Sequence, residues 1–179
     1  MRILLLRHAK SSWDRPGLSD HDRPLAPRGE RAAPAMGAHF AGTDLRVDRI
    51  ISSTAARAAS TARLFRDHLD DQCPLTLRRD LYHADATDLL AIALEEAGSD
   101  DEARIMLVAH NPGMHDLALF LCGEGESEEV ARLQAKFPTG ALAEFELPRR
   151  AADGVQPGSA RLVRFLRPKD LSTARTRTP

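Results

Sequence analysis

Two short runs constrain this chain more than any other feature: RILLL at residues 2–6 and RIMLVA at residues 104–109. Each is almost wholly aliphatic and has the length of a strand covered on both faces. Longer amphipathic stretches alternate with such runs, as in a sheet whose parallel strands are joined by crossover helices. VDRIIS at 47–52 reads as a second strand and residues 75–77 as a third, brief one. Helices are expected over 28–40, with Pro27 in the first helical position, over 54–69, and over 87–97. Thr87 or Asp88 is the expected cap of the last of these and Gly98 its stop; two more helices follow over 113–121 and 127–134. Residues 141–147 and 160–166 read as neighbouring strands at a sheet edge. The expected fold class is α/β: a three-layer α/β/α sandwich over residues 1–170, with a mostly parallel central sheet and an antiparallel edge. Residues 171–179 have little to bury and read as a mobile tail.

Several function classes fall away on composition. A chain of 179 residues suits one domain. A formal net charge of -1 gives no electrostatic footprint for nucleic acid or an anionic membrane. No apolar stretch approaches the roughly 20 residues of a membrane span. The N-terminal apolar run is too short for a signal peptide. Cys73 and Cys122 are far apart and in no metal-ligand spacing, which reads as two reduced structural thiols of a cytoplasmic protein.

Chemistry-bearing residues gather at the carboxyl ends of the expected strands. His8 follows the first strand and His110 follows RIMLVA, just before Asn111-Pro112-Gly113 opens a helix. In open α/β sheets this edge is where ligands bind. Arg57, in the first turn of the helix after VDRIIS, belongs to the same edge, as does Arg7 beside His8. Two arginines, two histidines and a helix start suit a small dianion such as phosphate. Arginine grips phosphate oxygens with a planar fork and stays charged at any physiological pH. Histidine supplies a neutral nitrogen that can attack phosphorus, or a proton donor and acceptor near pH 7. His21, His39, His68, His83 and His115 read as surface or packing residues. The spacing of His110 and His115 is not that of a zinc pair on one helical face, and Arg7 beside a metal ligand would repel a cation, so no metal is expected.

These residues together resemble a known family. Arg7-His8-Ala9 after a first strand, Ser52-Ser53-Thr54-Ala55-Ala56-Arg57 after a second, and Ala109-His110-Asn111-Pro112 after a central one resemble the histidine phosphatase superfamily (phosphoglycerate mutase-like), in its small SixA-type branch. Asp22-Arg23-Pro24-Leu25 leading to Gly29, and Phe137-Pro138-Thr139-Gly140, extend the resemblance over most of the chain. It implies that His8 is the nucleophile that becomes phosphorylated, with Arg7, Arg57 and His110 completing the phosphate pocket. Arg23, and Asp20 or Asp22, are candidates for its lip. It implies no cofactor, and a phosphorylated protein (phosphohistidine) or small phosphoester as partner.

The chain departs from the family at three places. Ala9 stands where a glycine is common, and Ala26 where a Ser or Thr would cap the first helix. Where larger relatives carry a carboxylic acid after the third strand, this chain reads RDLYHAD over 79–85, with Asp80 and Asp85 but no glutamate. The general acid therefore stays open among Asp80, Asp85, Asp20, Asp22 and His110. An alkoxide leaves slowly without such an acid, whereas imidazole leaves as a neutral ring once protonated. Short connections after the first and third strands also leave the pocket without a lid. Both points favour a protein phosphohistidine substrate. The alternatives are a general phosphomonoesterase or small-metabolite phosphatase and, outside enzymes, a histidine phosphocarrier.

Overall fold

The computed structural model describes residues 1–43, 46–69, 73–148 and 154–171. Among them, seven strands form one sheet in the order β3-β2-β4-β1-β6-β7-β5. The strands are β1 (Arg2–Arg7), β2 (Arg49–Ser53), β3 (Leu75–Arg78), β4 (Arg104–Ala109), β5 (Cys122–Glu124), β6 (Leu142–Glu146) and β7 (Ala160–Leu166). β3, β2, β4 and β1 run parallel; β6 pairs antiparallel with β1, and β7 antiparallel with β6. The expected mostly parallel sheet with an antiparallel edge is thus present. The short strand β5, which pairs parallel with β7, was not expected. Its three residues, Cys-Gly-Glu, make no apolar run, and pairing with β7 is what recruits them.

Helices α1 (Pro27–Ala41), α2 (Ala56–Arg66), α3 (Ala86–Ala97), α4 (Gly113–Leu121) and α5 (Ser127–Ala135) cover the two faces. The pleat sorts the aliphatic runs between them. Leu4 and Leu6 of β1 and Met106 and Val108 of β4 pack with Met36, Phe40 and Phe65 of α1 and α2. Ile3, Leu5, Ile105 and Leu107 face the other way, onto Leu89, Met114, Leu117 and Leu133 of α3, α4 and α5. Both strands are buried on both faces, which is why they read as continuous aliphatic runs.

Some boundaries differ from expectation. Helix α2 ends at Arg66 rather than 69, and α3 is capped by Asp85, whose Oδ1 accepts the Asp88 N–H at 2.9 Å, rather than by Thr87 or Asp88. Pro27 opens α1 as expected, and Ala26 gives it no side-chain cap. Pro168–Asp170 forms a 3-10 turn in which Asp170 accepts from Arg167, so this stretch beyond the last strand is ordered. The remainder of the expected tail, residues 172–179, lies outside the described residues, as does part of the connector between β6 and β7.

Besides the β1–β6 ladder, one buried charge links the antiparallel edge to the parallel core. Glu144 of β6 has no solvent exposure. Its Oε1 accepts from Arg2 of β1 at 2.7 Å, and its Oε2 lies 2.7 Å from Nε of Arg164 on β7. Both arginines are partly exposed, so removing them strands the carboxylate, whereas removing all three charges leaves an apolar strip. The double variant Arg2→Met/Arg164→Met is expected to lose roughly 3–5 kcal/mol in urea unfolding, and adding Glu144→Leu to recover most of it. A triple variant no more stable than the double would show that Glu144 is not the group left unpaired.

Candidate active site

Parallel register brings the chemistry to one level. Arg7 lies opposite Ala109 across β1 and β4, and Ser52 opposite Val108 across β2 and β4. His8, His110 and Ser53 therefore leave their strands side by side. The His8 and His110 rings stand 5.0 Å apart, and both residues are buried. The connection between them is backbone: His8 N–H donates to Ala109 O at 3.1 Å.

Arg57 enters from the second residue of α2, and Thr61 ties it to the loop that carries His8 and Ala9. Thr61 Oγ1 donates to Arg57 O at 2.6 Å, one turn back along the helix, and accepts the Ala9 N–H at 3.0 Å. Arg7 donates from one terminal nitrogen to Phe137 O at 2.8 Å, while its buried Nε has no partner. Gly140, at φ 76, bends the 137–140 segment so that its N–H reaches Arg7 O and His8 O, both at 3.1 Å.

Both histidines are neutral at pH 7. Burial pushes the pKa of His8 down to about 4, against the opposing effect of its bond to Ala9, with Arg57 and Arg7 pushing the same way as burial. Burial, together with the neighbouring His8 and Arg57, lowers His110 to about 3. Nδ1 of His8 lies 2.7 Å from Ala9 O. A carbonyl only accepts, so the ring proton sits on Nδ1 and the Nε2 lone pair is free. Nε2 of His110 lies 2.9 Å from Ser53 Oγ, which already accepts the Ala55 N–H at 3.2 Å. The pattern that leaves no hydroxyl proton idle has Ser53 donating to Nε2. The His110 proton then sits on Nδ1, a buried atom with no partner in the protein. A neutral nucleophilic nitrogen, a ring N–H donor and two arginines can together hold and transfer a phosphoryl group.

The first connection reaches into this site more than its length suggested. Asp20 Oδ2 accepts from Arg57 and from the Tyr82 hydroxyl, each at 2.8 Å, and its Oδ1 accepts from Arg23 at 2.8 Å. A second Arg57 nitrogen donates to Asp20 O. Burial works against ionisation of Asp20, but the bonds from Tyr82, Arg57 and Arg23 outweigh it and hold the carboxyl far below its ordinary range. The buried Arg23 spends its remaining donors on Ser11 Oγ and Ser12 O, so it braces the loop. The other acid candidates lie elsewhere: Asp80 pairs with Arg78, Asp85 caps α3, and Asp22 accepts from Ser19 and faces His21.

Sequence reasoning did not single out Ser53, Thr61 or Tyr82. Thr61 carried a readable signal, since a Thr four residues after Arg57 falls one helical turn on. Tyr82 carried none, because only the turn after β3 aims it at Asp20 and sets its ring edge-on to His110 at 5.4 Å. His115 is a packing residue, bonded to Leu133 O at 2.8 Å, and His83 is exposed, its ring tilted against that of Tyr82 with centroids 3.9 Å apart. His21 faces Thr54 Oγ1 at 2.9 Å on the lip of the site.

A sequence model of the histidine phosphatase superfamily (branch 1) matches residues 3–137. The chain belongs to this superfamily. An uncharacterised protein of Mycobacterium tuberculosis is 36% identical over 166 residues, which span 92% of this chain and 100% of the relative. Among solved structures, a protein provisionally designated phosphohistidine phosphatase SixA from Agrobacterium tumefaciens is similar with a TM-score of 0.76 and 31% identity, over 93% of this chain and 97% of the other. A like-named protein from Nakamurella multipartita gives 0.75 and 28%, over 93% and 95%. Within the superfamily, the chain falls in the SixA-type branch. No helix among its described residues is long and apolar enough to cross a membrane.

The neutral state of the two histidines is directly measurable in this phosphatase. Imidazole nitrogen shifts of the ligand-free protein are expected to report the Nδ1–H form of His8 from pH 7 to 5, with midpoints near 4 for His8 and 3 for His110. The unfolded chain takes up these protons around pH 6.5 and the native state only below it, so their contribution to stability falls as pH drops through that window. Midpoints near 6.5 would mean that the rings are solvated and that His8 is about one quarter protonated at pH 7.

Proposed function

We propose that this chain hydrolyses phosphohistidine on a protein substrate, through transient phosphorylation of His8 and without a metal or organic cofactor. The observation that carries the substrate choice is the state of Asp20. Among the described residues, the carboxyl group that reaches Arg57 is that of Asp20, held as a carboxylate by three donors, and Asp80 and Asp85 are engaged elsewhere. An alkyl phosphoester needs an acid for its departing oxygen. Phosphohistidine brings its own proton, because the distal ring nitrogen titrates near neutral pH and the ring then leaves as neutral imidazole.

In the first step the Nε2 lone pair of His8 forms a bond to phosphorus. The substrate's P–N bond breaks, and its electron pair stays on the departing imidazole. Arg7, Arg57 and the Nδ1–H of His110 carry the charge on the equatorial oxygens. The bond from His8 Nδ1–H to Ala9 O keeps the phosphorylated ring cationic, so His8 is itself a good leaving group. Water then attacks phosphorus, the P–N bond to His8 breaks with its electron pair returning to Nε2, and the water's oxygen and protons leave with the phosphoryl group as dihydrogen phosphate. Membership of the histidine phosphatase superfamily supports the phosphatase reading. Two unpaired cysteines suit the reducing cytoplasm.

The reading has two checks. His8→Ala is expected to abolish turnover with the fold intact, and Arg57→Lys to lower kcat/KM by about a hundred- to a thousandfold, the loss of a stabilising donor worth roughly 2.7–4 kcal/mol. Substantial turnover by the folded His8 variant would remove the nucleophile. Across phosphohistidine, acyl phosphate, p-nitrophenyl phosphate and phosphoserine, kcat/KM is expected to fall steeply as the leaving-group pKa rises. A flat series would reveal an effective acid and favour a general phosphomonoesterase.

A further inference from the structure

One surface of the molecule segregates charge. A groove of about 550 Å³ runs from Arg7 past Lys10, Arg28, Lys136, Arg167 and Lys169, and no Asp or Glu lines it. The chain as a whole carries 25 Lys and Arg against 26 Asp and Glu, so a lining of six cations and no acid departs from its average. A groove of similar size at the opposite end of the sheet, about 520 Å³, is lined by four acids and three arginines whose charges offset one another. Arg167 is paired with Asp170, but Lys10, Arg28 and Lys136 have no carboxylate within ion-pair distance among the described residues. The start of α1, which carries Arg28, also lies at this groove, and the helix dipole adds to the positive potential there.

The groove is continuous with the phosphate pocket through Arg7, and Lys10 lies two residues beyond His8. Its shape differs from that of the pocket. His8, Arg57 and His110 are buried and converge, as a single phosphoryl group requires. Lys10, Arg28, Lys136 and Lys169 are exposed, come from four separate stretches of chain, and stand over a floor of Ala32, Pro138 and Pro168. Such a track meets charges spaced along an extended ligand. On the Asp20 side of the pocket, Trp13 is 73% exposed and stacks on Arg23 at 3.2 Å, an apolar surface that suits contact with a protein.

We propose that this groove binds an acidic polypeptide segment adjoining the phosphorylated residue of the substrate. The proposal rests on the phosphatase reading for its place in catalysis, and specifies which phosphoproteins are preferred. Acidic side chains beside the phosphohistidine engage Lys10, Arg28 and Lys136 while Arg7 and Arg57 hold the phosphoryl group. The exposed cations act chiefly on encounter and binding, so the preference resides in KM and weakens with salt.

The test compares two phosphohistidine peptides that differ only in flanks of Asp and Glu or of Ser and Gln. The acidic peptide is expected to have about tenfold higher kcat/KM at low ionic strength, as a few exposed ion pairs would give. That ratio should shrink in wild-type protein as salt is raised and approach one in Lys10→Gln/Arg28→Gln/Lys136→Gln. Equal rates for the two peptides, or a preference that survives in the triple variant, would overturn the proposal. So would a small bisphosphate that competes strongly where the unphosphorylated acidic peptide does not bind, since the groove would then serve a small polyanion. Binding of the unphosphorylated acidic peptide is read without turnover. If it binds wild type and not the triple variant while neither phosphopeptide is hydrolysed, the groove stands and the phosphohistidine reading falls.

Discussion

Everything at the site depends on the parallel pairing of β1 with β4 and of β4 with β2. Residues opposite one another across this ladder, Arg7 with Ala109 and Val108 with Ser52, fix the level at which three strands end. A slip of one residue in β1 would turn its whole side-chain set over and carry Arg7 to the wrong face. Burial opposes that slip, because Ile3 and Leu5 fill one core and Leu4 and Leu6 the other. The hydrophobic effect thus sets the register, and the register sets the distance between the rings of His8 and His110.

The same burial sets the chemistry. Desolvation disfavours the imidazolium, so two histidines beside two arginines remain neutral. Asp20 responds oppositely because three donors stabilise its charge, which makes it a clamp on Arg57 rather than a source of protons. A phosphoryl group bound there meets arginine donors and a ring N–H already oriented by Ser53, Ala9 and Thr61. Positioning, more than proton supply, is what this arrangement offers, and it suits a leaving group that departs without enzymatic acid.

The parallel core was legible because strands buried on both faces must be aliphatic throughout, and RILLL and RIMLVA are. Arg7, His8, Arg57 and His110 were legible because strand ends and helix starts are local features, and the structure brings these four to one edge. β5 was not, since CGE has no periodicity and pairs only because β7 lies beside it. The cap of α3 was misread by two or three positions because Asp85, Thr87 and Asp88 all favour such a site, and the backbone alone chooses among them.

The sequence by itself determined the parallel core, the placement of Arg7, His8, Arg57 and His110 at strand ends and a helix start, and the lack of a glutamate in the turn after β3. Tertiary structure decided which acids are available. Asp20, Asp22, Asp80 and Asp85 are alike as residue types, and their roles follow from neighbours distant in sequence: Asp20 meets Arg57 at a separation of 37 residues and Tyr82 at 62. It also decided that Lys10, Arg28 and Lys136, scattered along a nearly neutral chain, line one groove. Charge and proton affinity are set by what lies within a few ångströms in space, and only folding specifies those neighbours.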